Sequence, residues 1–99
     1  MVAGTAPIWP NGKVDPDPAA QAERCLEIMV ASLAEAGGRP SDVFRTRMYI
    51  TDPSIGDLVG EAHGKVFGEV RPVATMVVVA GLLDERWQVE MELEAVLTG

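Results

Sequence analysis

The sequence predicts an α+β fold, a small mixed sheet with two helices on one face. Three observations carry this. Trp87, Val89, Met91 and Leu93 alternate with Gln88, Glu90, Glu92 and Glu94, the period of a strand with one apolar and one acidic face. The preceding stretch, Arg71 to Ala80, has apolar residues at both parities: Val73, Thr75, Val77 and Val79 against Ala74, Met76, Val78 and Ala80. Such a strand is expected to be covered on both sides. Upstream, two segments that open on Asp-Pro carry apolar residues at helical spacing.

In chain order, Met1 to Ile8 reads as the end of a strand. Trp9 to Pro18 holds Pro10, Asn11-Gly12, Pro16 and Pro18 and reads as a loop. Asp17 as N-cap and Pro18 at the first helical position start a helix. Ala22, Leu26, Met29, Val30 and Leu33 form its buried stripe, leaving Gln21, Glu23, Arg24, Glu27 and Glu35 to water. Gly37-Gly38 ends it, and Pro40 prevents its resumption.

Asp42 to Ile50 reads as a strand, with Phe44, Thr46, Met48 and Ile50 inward and Arg45, Arg47 and Tyr49 outward. Thr51-Asp52-Pro53 caps a second helix running to Phe67, with Ile55, Leu58, Val59, Ala62 and Val66 as its stripe. Gly56, Gly60 and Gly64 recur every fourth residue there. Each costs roughly 1 kcal/mol against alanine, so the row predicts close backbone packing onto the sheet. The last two strands, joined by a short turn, follow.

Ninety-nine residues make a single domain, 1–99, near the small end of what builds its own core. A net charge of -7 argues against nucleic acid and against an anionic membrane surface. The single cysteine, Cys25, excludes an internal disulfide and fits a reducing compartment. With no signal segment and no membrane-length apolar run, a cytoplasmic protein is the expectation.

The face away from the helices is expected to collect Arg45, Arg47 and Tyr49, then Ala74, Met76 and Val78, then Glu90, Glu92 and Glu94. One copy would leave Met76 and Val78 wet. Association of copies through this face is the simplest remedy.

Four segments carry a family resemblance: Ala3-Gly4-Thr5-Ala6-Pro7, Thr46-Arg47-Met48-Tyr49-Ile50-Thr51-Asp52, Arg71-Pro72 before the apolar strand, and Val89-Glu90-Met91-Glu92. In order and spacing the chain resembles the Rid (reactive intermediate deaminase) family, also called YjgF or L-PSP. The resemblance implies a chorismate-mutase-like fold and a homotrimer with sheets inward, helices outward and small-molecule clefts between subunits. It implies hydrolysis of enamines and imines to a carbonyl compound and ammonia without metal or cofactor. It also implies that two strands usually precede the AGTAPI-like segment, so the expectation is either a misassigned or shortened start or a sheet lacking the N-terminal hairpin.

Carried over by position, Gly4 and Thr5 line the cleft and Glu90 positions the attacking water. The carboxylate-gripping arginine of the family falls on Ala74, and a nearby cysteine position falls on Met76. Arg47 or Arg71 is the candidate replacement, and Tyr49 a candidate donor to a ligand. Glu90, Glu92 and Glu94 also read simply as a polar strand face paired with Arg45 and Arg47. Three carboxylates on one face are expected to raise one another's pKa. His63 and Cys25 read as structural. The missing arginine keeps open a non-catalytic binding or regulatory trimer. RNA cleavage, also attached to the family, ranks third because the chain is acidic.

Overall fold

The computed structural model describes residues 2–97; Met1 of the expected strand end lies outside the described residues. Six elements follow one another: β1 Val2–Thr5, α1 Pro18–Glu35, β2 Val43–Ile50, α2 Gly56–Phe67, β3 Val73–Val78 and β4 Val89–Ala95. They build one four-stranded sheet in the order β1-β4-β2-β3. β4 runs antiparallel to both of its neighbours, and β2 pairs with β3 in parallel. No helix among the described residues is long and apolar enough to cross a membrane.

The local signals act as their chemistry requires. The Asp17 carboxylate accepts from Ala19 N–H at 3.3 Å and caps α1. Gly37 takes φ +89°, and the N–H groups of Gly37 and Gly38 donate to the carbonyls of Ala34 and Leu33. These bonds satisfy two carbonyls of the last turn and stop the helix. Asp52 caps through Ser54 N–H at 2.8 Å, but what it opens is a 3-10 turn, Pro53–Ile55, from which α2 continues.

The core lies between the sheet and the two helices. Met29 and Leu33 of α1, Val59 and Phe67 of α2, and Met48, Ile50, Met91 and Leu93 of the sheet are all buried there. At about 25 cal/mol per Å2 of apolar surface removed from water, this layer is the main favourable term of the fold.

Several expectations change. β3 and β4 are not neighbours, because β2 lies between them, and residues 79–88 form a connection across the sheet end. Phe44 is 43% exposed, whereas Val43 and Thr46 are both buried. A register irregularity between Val43 and Arg45 inserts one residue and reverses the alternation there. Leu58 is turned to solvent, and Phe67 takes its place in the α2 stripe.

The largest change is in β3. Its register pairs Ala74 with Thr46, Met76 with Met48 and Val78 with Ile50, so these residues share the helix-facing side. Val73, Thr75 and Val77 occupy the outer side, beside Arg45, Arg47 and Tyr49. Because both parities of β3 are apolar, its alternation could not fix which face turns in. Met76 is partly buried by the chain itself: a methyl on Gly56 would lie 3.6 Å from Met76 Sδ, and one on Gly60 would lie 4.0 Å from its Cε. Alanine at Gly56 or Gly60 would thus touch Met76 only at ordinary van der Waals distance, and at Gly64 it would meet open space, so the close packing expected of the glycine row is not what requires these glycines. The exposed apolar surface of the outer face is instead Val73, 63% exposed, and Val77.

Gln21, expected in water, is fully buried. Its Nε2 donates to the carbonyls of Asp15 at 2.8 Å and Arg86 at 2.9 Å. Its Oε1 accepts from Gln88 N–H at 2.7 Å. One side chain thus ties the loop before α1 to the segment entering β4, two residues ahead of Glu90. Gln21→Ala would leave three backbone groups without these partners. We expect a loss of about 3 kcal/mol, at 1–3 kcal/mol for a buried group left unpaired. The urea midpoint at unchanged m-value measures it; a loss below about 0.5 kcal/mol would show that water replaces the amide freely.

Candidate functional site

The helix-free face is built by parity. Tyr49 pairs with Glu90, Arg47 with Glu92 and Arg45 with Glu94, so six polar side chains share one side of β2 and β4. Thr5 pairs with Met91 on the core side of β1 and is buried. Its side chain therefore does not line the outer face, contrary to its expected cleft-lining place. Gly4, its neighbour, does face outward: a methyl group there would lie 3.3 Å from Glu90 Oε2 and 3.4 Å from its Cδ. The Glu90 carboxylate lies across β1 in the space that a side chain at Gly4 would need.

Next to it, one carboxylate gathers two donors. Glu92 Oε1 accepts from Tyr49 Oη at 2.7 Å and from Arg47 Nη1 at 3.1 Å. Arg47 Nη1 also lies 3.7 Å from Glu94 Oε1, and Arg45 Nη1 lies 4.0 Å from the same oxygen. The mutual repulsion expected among the carboxylates does not govern Glu92. The Tyr49 hydroxyl, then Arg47, hold its carboxyl below the ordinary value of 4.5. The same bond to Glu92 raises the Tyr49 phenol and the Arg47 guanidinium. Among the described residues Glu90 makes no ion pair, and no side chain donates a hydrogen bond to it.

The remaining candidates are placed apart. Ala74 and Met76 lie on the helix side of β3, so one copy does not bring them to Glu90. Arg71 precedes β3 at φ 55°, a left-handed conformation that its side chain disfavours. Val73 pairs with Arg45, and Val77 pairs with Tyr49 opposite Glu90. At about 3.3 Å per residue, Arg71 thus enters the sheet more than ~13 Å from the Glu90 row. Within one chain it is no substitute clamp for a ligand at Glu90.

His63 Nε2 shares a 2.8 Å hydrogen bond with the buried Thr46 hydroxyl, its ring is 5.0 Å from that of Phe67, and burial lowers its pKa. Cys25 is fully buried, with Sγ donating to the Thr5 carbonyl at 3.4 Å. Burial, with a smaller contribution from the Glu90 charge, pushes its thiol up to about 12, so it stays protonated and inert. Cys25 packs under β1 and β4, the strands that carry Gly4 and Glu90, whereas His63 packs under β2. An apolar groove of about 610 Å3 lies elsewhere, between α1 and α2, lined by Leu26, Val30, Ala34 and Val66. It sits on the helical layer, opposite the face of Glu90, and its charged lining is Glu23, Glu27 and Lys65, of which Lys65 lies 3.9 Å from Glu23.

Comparison with known proteins agrees with this geometry. The family described as Endoribonuclease L-PSP matches residues 1–97. A RutC family protein from Pyrococcus abyssi is 34% identical over 98 residues, covering 97% of this chain and 75% of its own length. The crystal structure of Rv2704 from Mycobacterium tuberculosis, a member of the YjgF/YER057c/UK114 family, superposes with TM-score 0.87 at 39% identity. It covers 96% of this chain and 75% of its own. The chain belongs to the Rid/YjgF/L-PSP family. Its sheet and helices have the chorismate-mutase-like fold of that family. Another structural neighbour, E. coli TdcF with bound serine, has TM-score 0.90 at 28% identity and covers 97% of this Rid-family chain and 78% of its own. An uncharacterized Streptomyces coelicolor protein is 39% identical over 79 residues, 80% of this chain; the match spans 59% of that relative's length.

Sequence reasoning missed Gln21, which sets the entry to β4, and the bond from the Tyr49 hydroxyl to Glu92. The pairing of Arg45 and Arg47 with Glu92 and Glu94 was legible, since parity alone places these charges on one face. Because the Glu92 carboxyl is depressed in the folded state, the stability it adds is present above its ordinary range. That stability is lost as pH falls through the folded value. Tyr49→Phe should move the Glu92 pKa up toward 4.5 and flatten the acid side of the stability curve. Side-chain carboxyl NMR titration reads the shift, and an unmoved Glu92 would contradict the assignment of the Tyr49 bond as its main cause.

Proposed function

We infer that this Rid-family protein binds a small metabolite in clefts between its copies, in a homotrimer, and hydrolyses a reactive imine there with Glu90 as the base. The observation that supports this is Glu90 itself. It is a carboxylate on the face without helices, seated over Gly4, with no ion pair among the described residues. Tyr49 and Arg47 stand beside it as donors, both already turned toward Glu92. That the related TdcF is described with bound serine supports a small metabolite as the class of ligand.

The chemistry needs only water and one carboxylate. Glu90 takes a proton from water as the oxygen attacks the iminium carbon, giving a carbinolamine and a protonated Glu90. Glu90 returns that proton to the amine nitrogen. The carbon–nitrogen bond then breaks with its electron pair going to nitrogen, while the hydroxyl proton passes through Glu90 to the departing ammonia. Iminium plus water thus gives carbonyl plus ammonium, and Glu90 ends as it began.

A second reading, a non-catalytic binding trimer, draws support from Arg47 being tied to two glutamates and from alanine at position 74. Imine hydrolysis, followed as carbonyl appearance with and without protein, separates the two. The first reading predicts a protein-dependent excess that Glu90→Gln lowers by about 100-fold or more, the range for a positioned general base. No excess from the wild type, or an excess that Glu90→Gln leaves intact, would reject it. If the wild type is inactive and Ala74→Arg gains hydrolysis of 2-imino acids, the binding reading stands.

A further inference from the structure

We propose that the Glu90 site takes imines that lack a carboxylate, as the protonated iminium cation. This rests on the functional reading above and names its substrate class. The charges of β2 and β4 on this face are Arg45 and Arg47 against Glu90, Glu92 and Glu94. Both cations are already committed. Arg47 lies 3.1 Å from Glu92 and 3.7 Å from Glu94, and Arg45 lies 4.0 Å from Glu94. The surplus negative charge therefore falls on Glu90, the group that makes no ion pair among the described residues. The neighbouring strand adds no countercharge, because β3 presents Val73, Thr75 and Val77 to this face. Arg71 enters at the far end of the sheet.

A carboxylate brought to Glu90 would meet like charge, and among the described residues of the same copy no uncommitted cation of this face offsets it. A cation would be attracted, and its apolar substituents could rest against Val77 and Tyr49, which pair side by side in the Glu90 row. The protonated imine is also the electrophilic form. The same carboxylate that recruits it is then in place to take the proton from water. Gly4 leaves room for the carboxylate itself, since a methyl there would lie 3.3 Å from Glu90 Oε2 and oblige it to shift by a few tenths of an ångström.

The test uses two imines that differ by the carboxylate, each released in situ by a flavin oxidase. Phenylglycine gives 2-imino-2-phenylacetate, and benzylamine gives benzaldimine. Carbonyl appearance is followed with and without the full-length protein. We expect the acceleration of benzaldimine hydrolysis to exceed that of the carboxylated imine by at least tenfold. Equal acceleration, or a preference for the carboxylated imine, overturns this inference while leaving imine hydrolysis in place. Acceleration of neither overturns both. In a second arm, Glu92→Gln loosens Arg47. The ratio should then move at least threefold toward the carboxylated imine, with folding checked by the thermal midpoint. An unchanged ratio in a folded variant overturns the role given to the Arg47–Glu92 pair.

Discussion

A sheet with helices on one side only has a second face to account for, and most of this structure follows from that. α1 and α2 seal Met48, Ile50, Met91 and Leu93 into a core. The other side of the same strands carries Arg45, Arg47, Tyr49 and the three glutamates, with Val73 and Val77 on the edge strand beside them. Exposed valines on an edge strand are a surface that natural proteins cover. In the reading proposed here a second copy covers them, and the polar residues beside them become the walls of a cleft. The charges then have separate tasks. Arg47, Glu92 and Glu94 hold one another and keep the face ordered, and Glu90 is left to meet a ligand.

Glu90 owes its position to neighbours that carry no chemistry. Gly4 yields the space its carboxylate fills. Gln21 fixes the path of the chain two residues upstream by satisfying three backbone groups from inside the core. Arg24 lies 4.0 Å over the Trp9 ring and donates to the Ile8 carbonyl at 3.0 Å, which holds the chain just past β1 against α1. A carboxylate aimed to within a fraction of an ångström needs such support, because exposed glutamates otherwise sample many rotamers.

The sequence told most where one physical pattern had one structural answer. The acidic alternation of β4 could only put Glu90, Glu92 and Glu94 on one face. Asp17-Pro18 and Gly37-Gly38 bounded α1 within a residue of where it starts and stops. It told least where two answers satisfied the same pattern. β3 is apolar at both parities, so the inward placement of Met76 had to come from its pairing with β2. Phe44 followed the strand period until an inserted residue reversed it. Gln21 looked like a surface residue because nothing local announces three distant backbone partners. On the sheet, Gly4 and Glu90 lie side by side, whereas Thr5 turned inward and Ala74 and Met76 fell on the other side.

The central claim is that the valine-bearing outer face is a seam between copies. Sedimentation equilibrium at micromolar concentration tests it most directly. The account requires a mass three times the 10.6 kDa of one chain. It further requires that Val77→Glu, which places a charge in the seam, shift the mass toward that of one chain. A cooperatively folded wild-type protein that sediments at the mass of a single chain would contradict it.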